Sequence, residues 1–268
     1  MKNILLLVHD DEGQEARLQA ALDVARAVEG HLTCLDVVVL PELSGDLWDG
    51  GAAAGLLLTE ERNREAANRA KLEPRLEVEE IPWSWVDMTG DVASCLQRAS
   101  TLAELIVVNR HIDGFPLPDM RGAAAELVIR SGKPILAVPD SSRGFDVTGH
   151  ALIAWDGSPQ ADRALQAAVP LLKLARQVTI LQVDDGSVKV PAGEAALFLS
   201  RHDIHPLVVL EQAAKGEARQ IIFAEIAKRH ADYVVMGGFG QSRLAEALFG
   251  GVSRKLLSES PVPLLMAH

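Results

Sequence analysis

The residues best suited to chemistry in this chain are glycines. Residues 234–257 read VVMGGFGQSRLAEALFGGVSRKLL, so apolar, strand-like residues run into Gly237-x2-Gly240-x9-Gly250. Glycine allows sharp turns and close backbone approach. A loop rich in free N–H groups that leads into a helix suits an anion such as phosphate. Gly251, Val252 and Ser253 follow the last of these glycines, where a new helix can start. The same glycines equally fit a tight connection after a parallel strand, with no ligand. The dinucleotide fingerprint is not met, because Gly238-x-Gly240 is followed by Arg243 where a third glycine would stand. No glycine precedes Lys-Ser or Lys-Thr, so there is no Walker A loop.

Other chemically suggestive groups carry less. Asp156, in DGS after an apolar run, is either a ligand contact at a strand end or the cap of the next helix. Arg243, Arg254 and Lys255 either neutralise phosphate or form a solvated helix face. His202-x-x-His205 sits beside Pro206 in a connection and reads as solvated rather than as a metal site. Asp184 and Asp185 read as a polar loop rather than a magnesium site. Trp83 and Trp85 alternate about Ser84, which favours core or interface packing. No Ser–His–Asp or Cys–His order supports nucleophilic catalysis.

The elements that must position these residues occur twice. Residues 3–10, NILLLVHD, match 149–156, GHALIAWD, at an offset of 146, and 32–37 fall on 178–183 at the same offset. Residues 103–108, AELIVV, fall on 231–236, ADYVVM, at an offset of 128 that holds as far as Gly122 and Gly250. Two halves with one order of elements explain this. The drop in offset places extra residues in the first half, and 41–55, PELSGDLWDGGAAAG, reads as a mobile loop holding much of them. Strands are expected near 3–8, 31–38, 76–81, 104–108 and 135–138, and again near 150–155, 177–183, 207–211, 232–237 and 263–267. Helices near 159–174, 192–201, 217–230 and 247–259 alternate with the second set. Such alternation implies parallel sheets with right-handed crossovers. A short polar linker, 141–149, joins the halves. The apolar last strands, 135–138 and 264–267, need cover, so their mutual pairing about a pseudo-two-fold axis is expected.

Composition sets the class. The 268 residues suggest two domains. Hydrophobic residues make up 48% and aromatics only 4%, which favours aliphatic cores between parallel sheets and helices. The net charge of −11 argues against nucleic-acid or anionic-membrane partners, which need a basic face. Cys34 and Cys95 read as free buried thiols of a reducing cytoplasm. No apolar run approaches membrane-spanning length, and no signal peptide precedes the first strand.

This order of elements, the glycine loop, Ala154-Trp155-Asp156-Gly157-Ser158 after the first strand of the second half, and Ser260-Pro261-Val262-Pro263-Leu264-Leu265 entering the last strand together resemble the universal stress protein family. The resemblance covers essentially the whole chain as two tandem copies, 1–140 and 149–268. It implies an α/β fold of two doubly wound domains, each a five-stranded parallel sheet in the order 3-2-1-4-5. It also implies stress-linked expression and, in one branch, binding of ATP or a related adenine nucleotide without efficient catalysis. Carried over by position, Asp156 contacts the adenine–ribose end and the backbone of Val183 contacts adenine. Gly237, Gly240 and Gly250 form the phosphate loop. Gly251 departs from the pattern, which has Ser or Thr there. The phosphate-binding hydroxyl is missing, Ser253 stands two residues on, and weak binding is implied. Whether magnesium accompanies the nucleotide, and whether whole chains form a homodimer, these residues leave open.

The first half departs further. Gly237 corresponds to Asn109, Gly240 to Ile112 and Gly251 to Ala123, and only Gly250 keeps a counterpart, Gly122. Ile112 is β-branched and unsuited to positive φ, and Pro116 and Pro118 stiffen the same segment. The expectation is therefore at most one nucleotide, held in the second half. The alternative is a stress or interaction protein that binds no nucleotide and whose glycines are only structural.

Overall fold

The structure, a computed structural model, describes residues 1–39, 50–110, 130–214, 216–238 and 252–268. The first half runs β1 (Asn3–Val8), α1 (Gln14–Val28), β2 (His31–Val39), α2 (Gly50–Val78), β3 (Trp83–Gly90), α3 (Val92–Ala99), β4 (Leu105–Asn109) and β5 (Ile135–Val138). The second runs β6 (His150–Trp155), α4 (Pro159–Leu172), β7 (Gln177–Asp184), α5 (Ala192–Ser200), β8 (Leu207–Gln212), α6 (Ala218–Arg229), β9 (Tyr233–Gly237), α7 (Val252–Glu259) and β10 (Leu264–Ala267).

All ten strands form one sheet, ordered β3-β2-β1-β4-β5-β10-β9-β6-β7-β8. Each half contributes 3-2-1-4-5, and pairing within each half is parallel. The halves meet where β5 and β10 pair antiparallel, Leu264 opposite Ala137 and Met266 opposite Ile135. Each last strand thus covers the other's apolar edge, as expected, and two five-stranded sheets become one continuous sheet.

The strands are buried on both faces, which explains their unbroken runs of Leu, Ile and Val. On one face α1, α2, α4 and α5 close over Leu6, Val8, Cys34, Ile153 and Tyr233. On the other, α3, α6 and α7 close over Leu5, Leu7, Leu181, Val234 and Met266. Both cysteines are free and buried. The linker is less polar in effect than in composition. Phe145 and Val147 are buried, the Phe145 ring packs 4.9 Å from Tyr233, and its N–H donates to Asp23 of α1 at 2.9 Å.

Two expectations are corrected. The third strand is Trp83–Gly90, not 76–81. Leu72 and Leu76, four apart, bury one helical face, so the helix carries through the segment that was read as a strand. Trp83 and Trp85 then lie in β3 and pack against the core. The extra length of the first half goes largely into α2, 29 residues against 9 in α5. Residues 50–55 open this helix rather than ending a loop, and 41–49 lie outside the described residues.

Candidate functional site

In a doubly wound sheet the loops diverge where the strand order reverses, and a crevice opens at the carboxyl ends of the strands there. In the second half this point lies between β6 and β9, which are hydrogen-bonded neighbours. A cavity of about 120 Å³ opens there. Leu181, Val183, Ala218, Ile222 and Met236 form its apolar wall, and Asp156, Asp185, Ser187, Gly237 and Ser253 its polar rim.

The structure brings five of the expected residues to this cavity: Asp156, Val183, Gly237, Val252 and Ser253. Gly240, Gly250 and Gly251 lie outside the described residues. Asp156 follows β6 and is exposed, and its Oδ1 accepts the Ser158 N–H at 2.8 Å. The helix cap itself is Ser158, whose side chain accepts from the Ala161 N–H at 3.1 Å. Asp156 therefore shapes the turn and also lines the cavity. Gly157 makes that turn at φ +71°, with Val190 N 2.1 Å from where a Cβ would stand.

Val183 lies one residue beyond the β6–β7 ladder, which ends at Trp155–Gln182, so β6 does not pair with it. Gly237 ends β9 against the start of α4. A Cβ there would lie 2.6 Å from Ala161 N and 2.8 Å from the Gln160 carbonyl carbon. This glycine therefore has a packing reason independent of any ligand. Val252 and Ser253 are the first residues of α7, so the positive end of that helix faces the cavity. The Ser253 hydroxyl donates to the Gly237 carbonyl at 3.4 Å. Lys255 pairs with Glu259 along α7 at 3.0 Å, as a solvated face would.

Asp185 and Ser187 were missed as site residues. Burial opposes ionisation of Asp185, but hydrogen bonds from the Ser187 side chain and from the Gly216 and Ser187 backbone outweigh it and hold its carboxyl below the usual range. The Ser187 N–H donates to Oδ1 at 3.1 Å. The available signal was a carboxylate two residues past Val183, at the end of the same strand.

The corresponding strand ends of the first half look different. Arg17, fully buried, donates to the Leu7 and His9 carbonyls at 2.7 and 2.6 Å, to Asp11 at 2.7 Å and to Asn109 Oδ1 at 2.5 Å. Asn109 Nδ2 in turn donates to Asp140 at 2.7 Å. The side chain that replaces a glycine is thus locked in a buried polar network.

With this geometry in view, the comparisons with known proteins are specific. Residues 148–268 match the universal stress protein family. That match spans a little under half of the chain. The chain's whole length superposes on a universal stress protein from Archaeoglobus fulgidus DSM 4304 with a TM-score of 0.77, at 20% identity, covering 100% of this chain and 98% of that one. A functionally unknown protein from Pseudomonas aeruginosa PAO1 matches with a TM-score of 0.62 at 17% identity, covering 99% and 92%. At these identities the likeness is one of fold. A search of curated proteins finds no match. Among the described residues no helix is long and apolar enough to cross a membrane.

Proposed function

We propose that the second half, 149–268, binds ATP or a related adenine nucleotide weakly and without efficient catalysis, and that the first half, 1–140, is a partner domain whose own nucleotide site has degenerated. The observation that carries this reading is the cavity at the β6/β9 crevice, an apolar slot with an acidic and hydroxyl rim that ends at the opening turn of α7. A flat base fits between Val183, Ile222 and Met236. Asp156 and Asp185 are acceptors suited to ribose hydroxyls and would repel phosphate. The phosphates must therefore leave toward the N-terminus of α7. At about 120 Å³ the cavity is smaller than the roughly 300–1,000 Å³ of most small-molecule pockets, so it takes the base and leaves the rest at the surface. That arrangement favours weak binding.

The test is mass spectrometry of the purified chain for bound nucleotide, followed by calorimetric titration with ATP. Ile222→Trp fills the slot and should weaken ATP at least a hundredfold while circular dichroism stays native. Unchanged affinity in that variant would leave the alternative, a stress or interaction protein whose glycine loop is only structural.

A further inference from the structure

In the first half, three ionisable side chains converge beneath α2. His9 follows the end of β1, and Glu61 and Glu65 lie one helical turn apart on α2. One ligand atom from each of these three sits within 4.8 Å of the others, and all three residues are buried. His9 Nδ1 lies 2.7 Å from Glu65 Oε1, an ion-pair distance, and His9 is 6% exposed. A ring nitrogen and two carboxylates packed this closely can serve as ligands of one cation.

Asp36 is a second, independent observation. It stands in β2 opposite Val8, on the face that carries Cys34 and lies under α2. It is 4% exposed, and its Oδ1 has no partner among the described residues. Carboxylates this buried are costly unless cations or donors surround them. Arg64, a quarter exposed at the mouth of the cluster, contacts Glu61 at 2.7 Å, Glu65 at 3.7 Å and His9 Nε2 at 3.4 Å, and Arg69 also acts on Asp36.

We propose that His9, Glu61 and Glu65, with Asp36 beside them, bind a first-row divalent cation such as Zn²⁺ or Mn²⁺. One imidazole and two or three carboxylates suit these ions, whereas Mg²⁺ and Ca²⁺ prefer all-oxygen shells. Asn68 is the supporting residue: it is buried, donates to Glu65 at 3.4 Å and exchanges hydrogen bonds with Gln14 at 2.8 and 2.7 Å. That fixes the Glu65 carboxylate, as outer-shell partners of metal ligands do. By the offset of the repeat His9 corresponds to Trp155 and Asp36 to Gln182. This cation site would therefore occupy the strand ends that in the second half border the nucleotide cavity.

The experiment uses the full chain, stripped with chelator and titrated calorimetrically with Zn²⁺ alone. One Zn²⁺ per chain is expected, with affinity reduced at least tenfold in Glu65→Gln and in His9→Asn. His202→Ala/His205→Ala, which removes the surface histidine pair, should bind as wild type. X-ray absorption at the zinc edge of the wild-type complex should show a single imidazole among oxygen ligands. This spectrum decides the matter even if the cluster variants fail to fold. No Zn²⁺ bound by the folded wild type, two or more imidazoles in the spectrum, loss of binding in the His202/His205 variant, or wild-type affinity in both cluster variants would overturn the proposal.

Discussion

At the end of β9 the second half has Gly237, and at the matching end of β4 the first half has Asn109. Both positions face the start of the helix that follows the first strand of their half. In the second half the helix comes close, with backbone atoms of Gln160 and Ala161 where a side chain at 237 would go. In the first half the space goes to Asn109, and the glycine has moved to the helix side: a Cβ on Gly13 would lie 2.5 Å from Asn109 Nδ2. One close crossing is thus solved in two ways. Glycine on the strand leaves the crevice lined by backbone. Glycine on the helix fills the crevice with the side chains of Asn109, Arg17 and Asp11. The strand order is the same in both halves, so the strand ends can differ without change to the sheet.

The comparison breaks most severely at Arg17. Its four hydrogen-bond partners include Asp11, whose side chain is 3% exposed. Arg17→Met leaves that carboxylate buried without its cation, held only by the Gly13 N–H at 2.8 Å, a loss of about 3–5 kcal/mol by chemical denaturation. ATP binding by the still-folded protein should not change, because the proposed nucleotide site uses nothing from this network.

A sharper cut is Gly13→Ala. The added methyl meets Asn109 and Asp140, which hydrogen bonds hold in place, so about 1–3 kcal/mol should be lost through overpacking. Adding Asn109→Gly recreates the second-half arrangement at that contact and should recover part of the loss. A double variant less stable than the sum of the two singles would show that the two glycines are not alternatives.

The smallest expected effect tests what the halves share. Glu104, just before β4, accepts the backbone N–H groups of Lys2 and Asn3 at 2.6 and 3.0 Å. Asp232, just before β9, accepts that of His150 at 2.6 Å. The backbone N–H of Lys2 above all, joined by that of Asn3 and the terminal ammonium, holds the Glu104 carboxyl down at about 2. A depressed folded pKa means stability present above about 4.5 and lost as pH falls from there toward about 2. Because Glu104 is exposed, the amount is below about 1 kcal/mol. Glu104→Gln should lower Tm slightly above pH 5 and flatten the acid limb of a Tm-against-pH curve in that window, so that the variant and wild-type curves converge toward about pH 2.

Much of this was legible beforehand. The unbroken apolar runs marked nearly every strand, the repeat divided them into two halves, and the family resemblance supplied their order in the sheet. Pairing of β5 with β10 followed from the need to cover apolar edges. The run 76–81 misled because LEVEEI alternates like a strand, while the i, i+4 pair Leu72 and Leu76 extends the helix. Asp156 and Val183 could be placed because strand ends are readable. The His9, Glu61, Glu65 and Asp36 cluster could not, since it joins residues more than fifty apart whose meeting depends on where a long helix lands. Gly237 was read as a phosphate glycine, and its contact with Gln160 and Ala161 is visible only in three dimensions.

The division of labour between the halves is tested most directly by the stoichiometry of ATP binding. Calorimetric titration of the wild-type chain should give one site per chain, abolished by Ile222→Trp and unaffected by Arg17→Met. Two equivalent sites, or one site that survives Ile222→Trp, would contradict the assignment of the nucleotide to the second half alone.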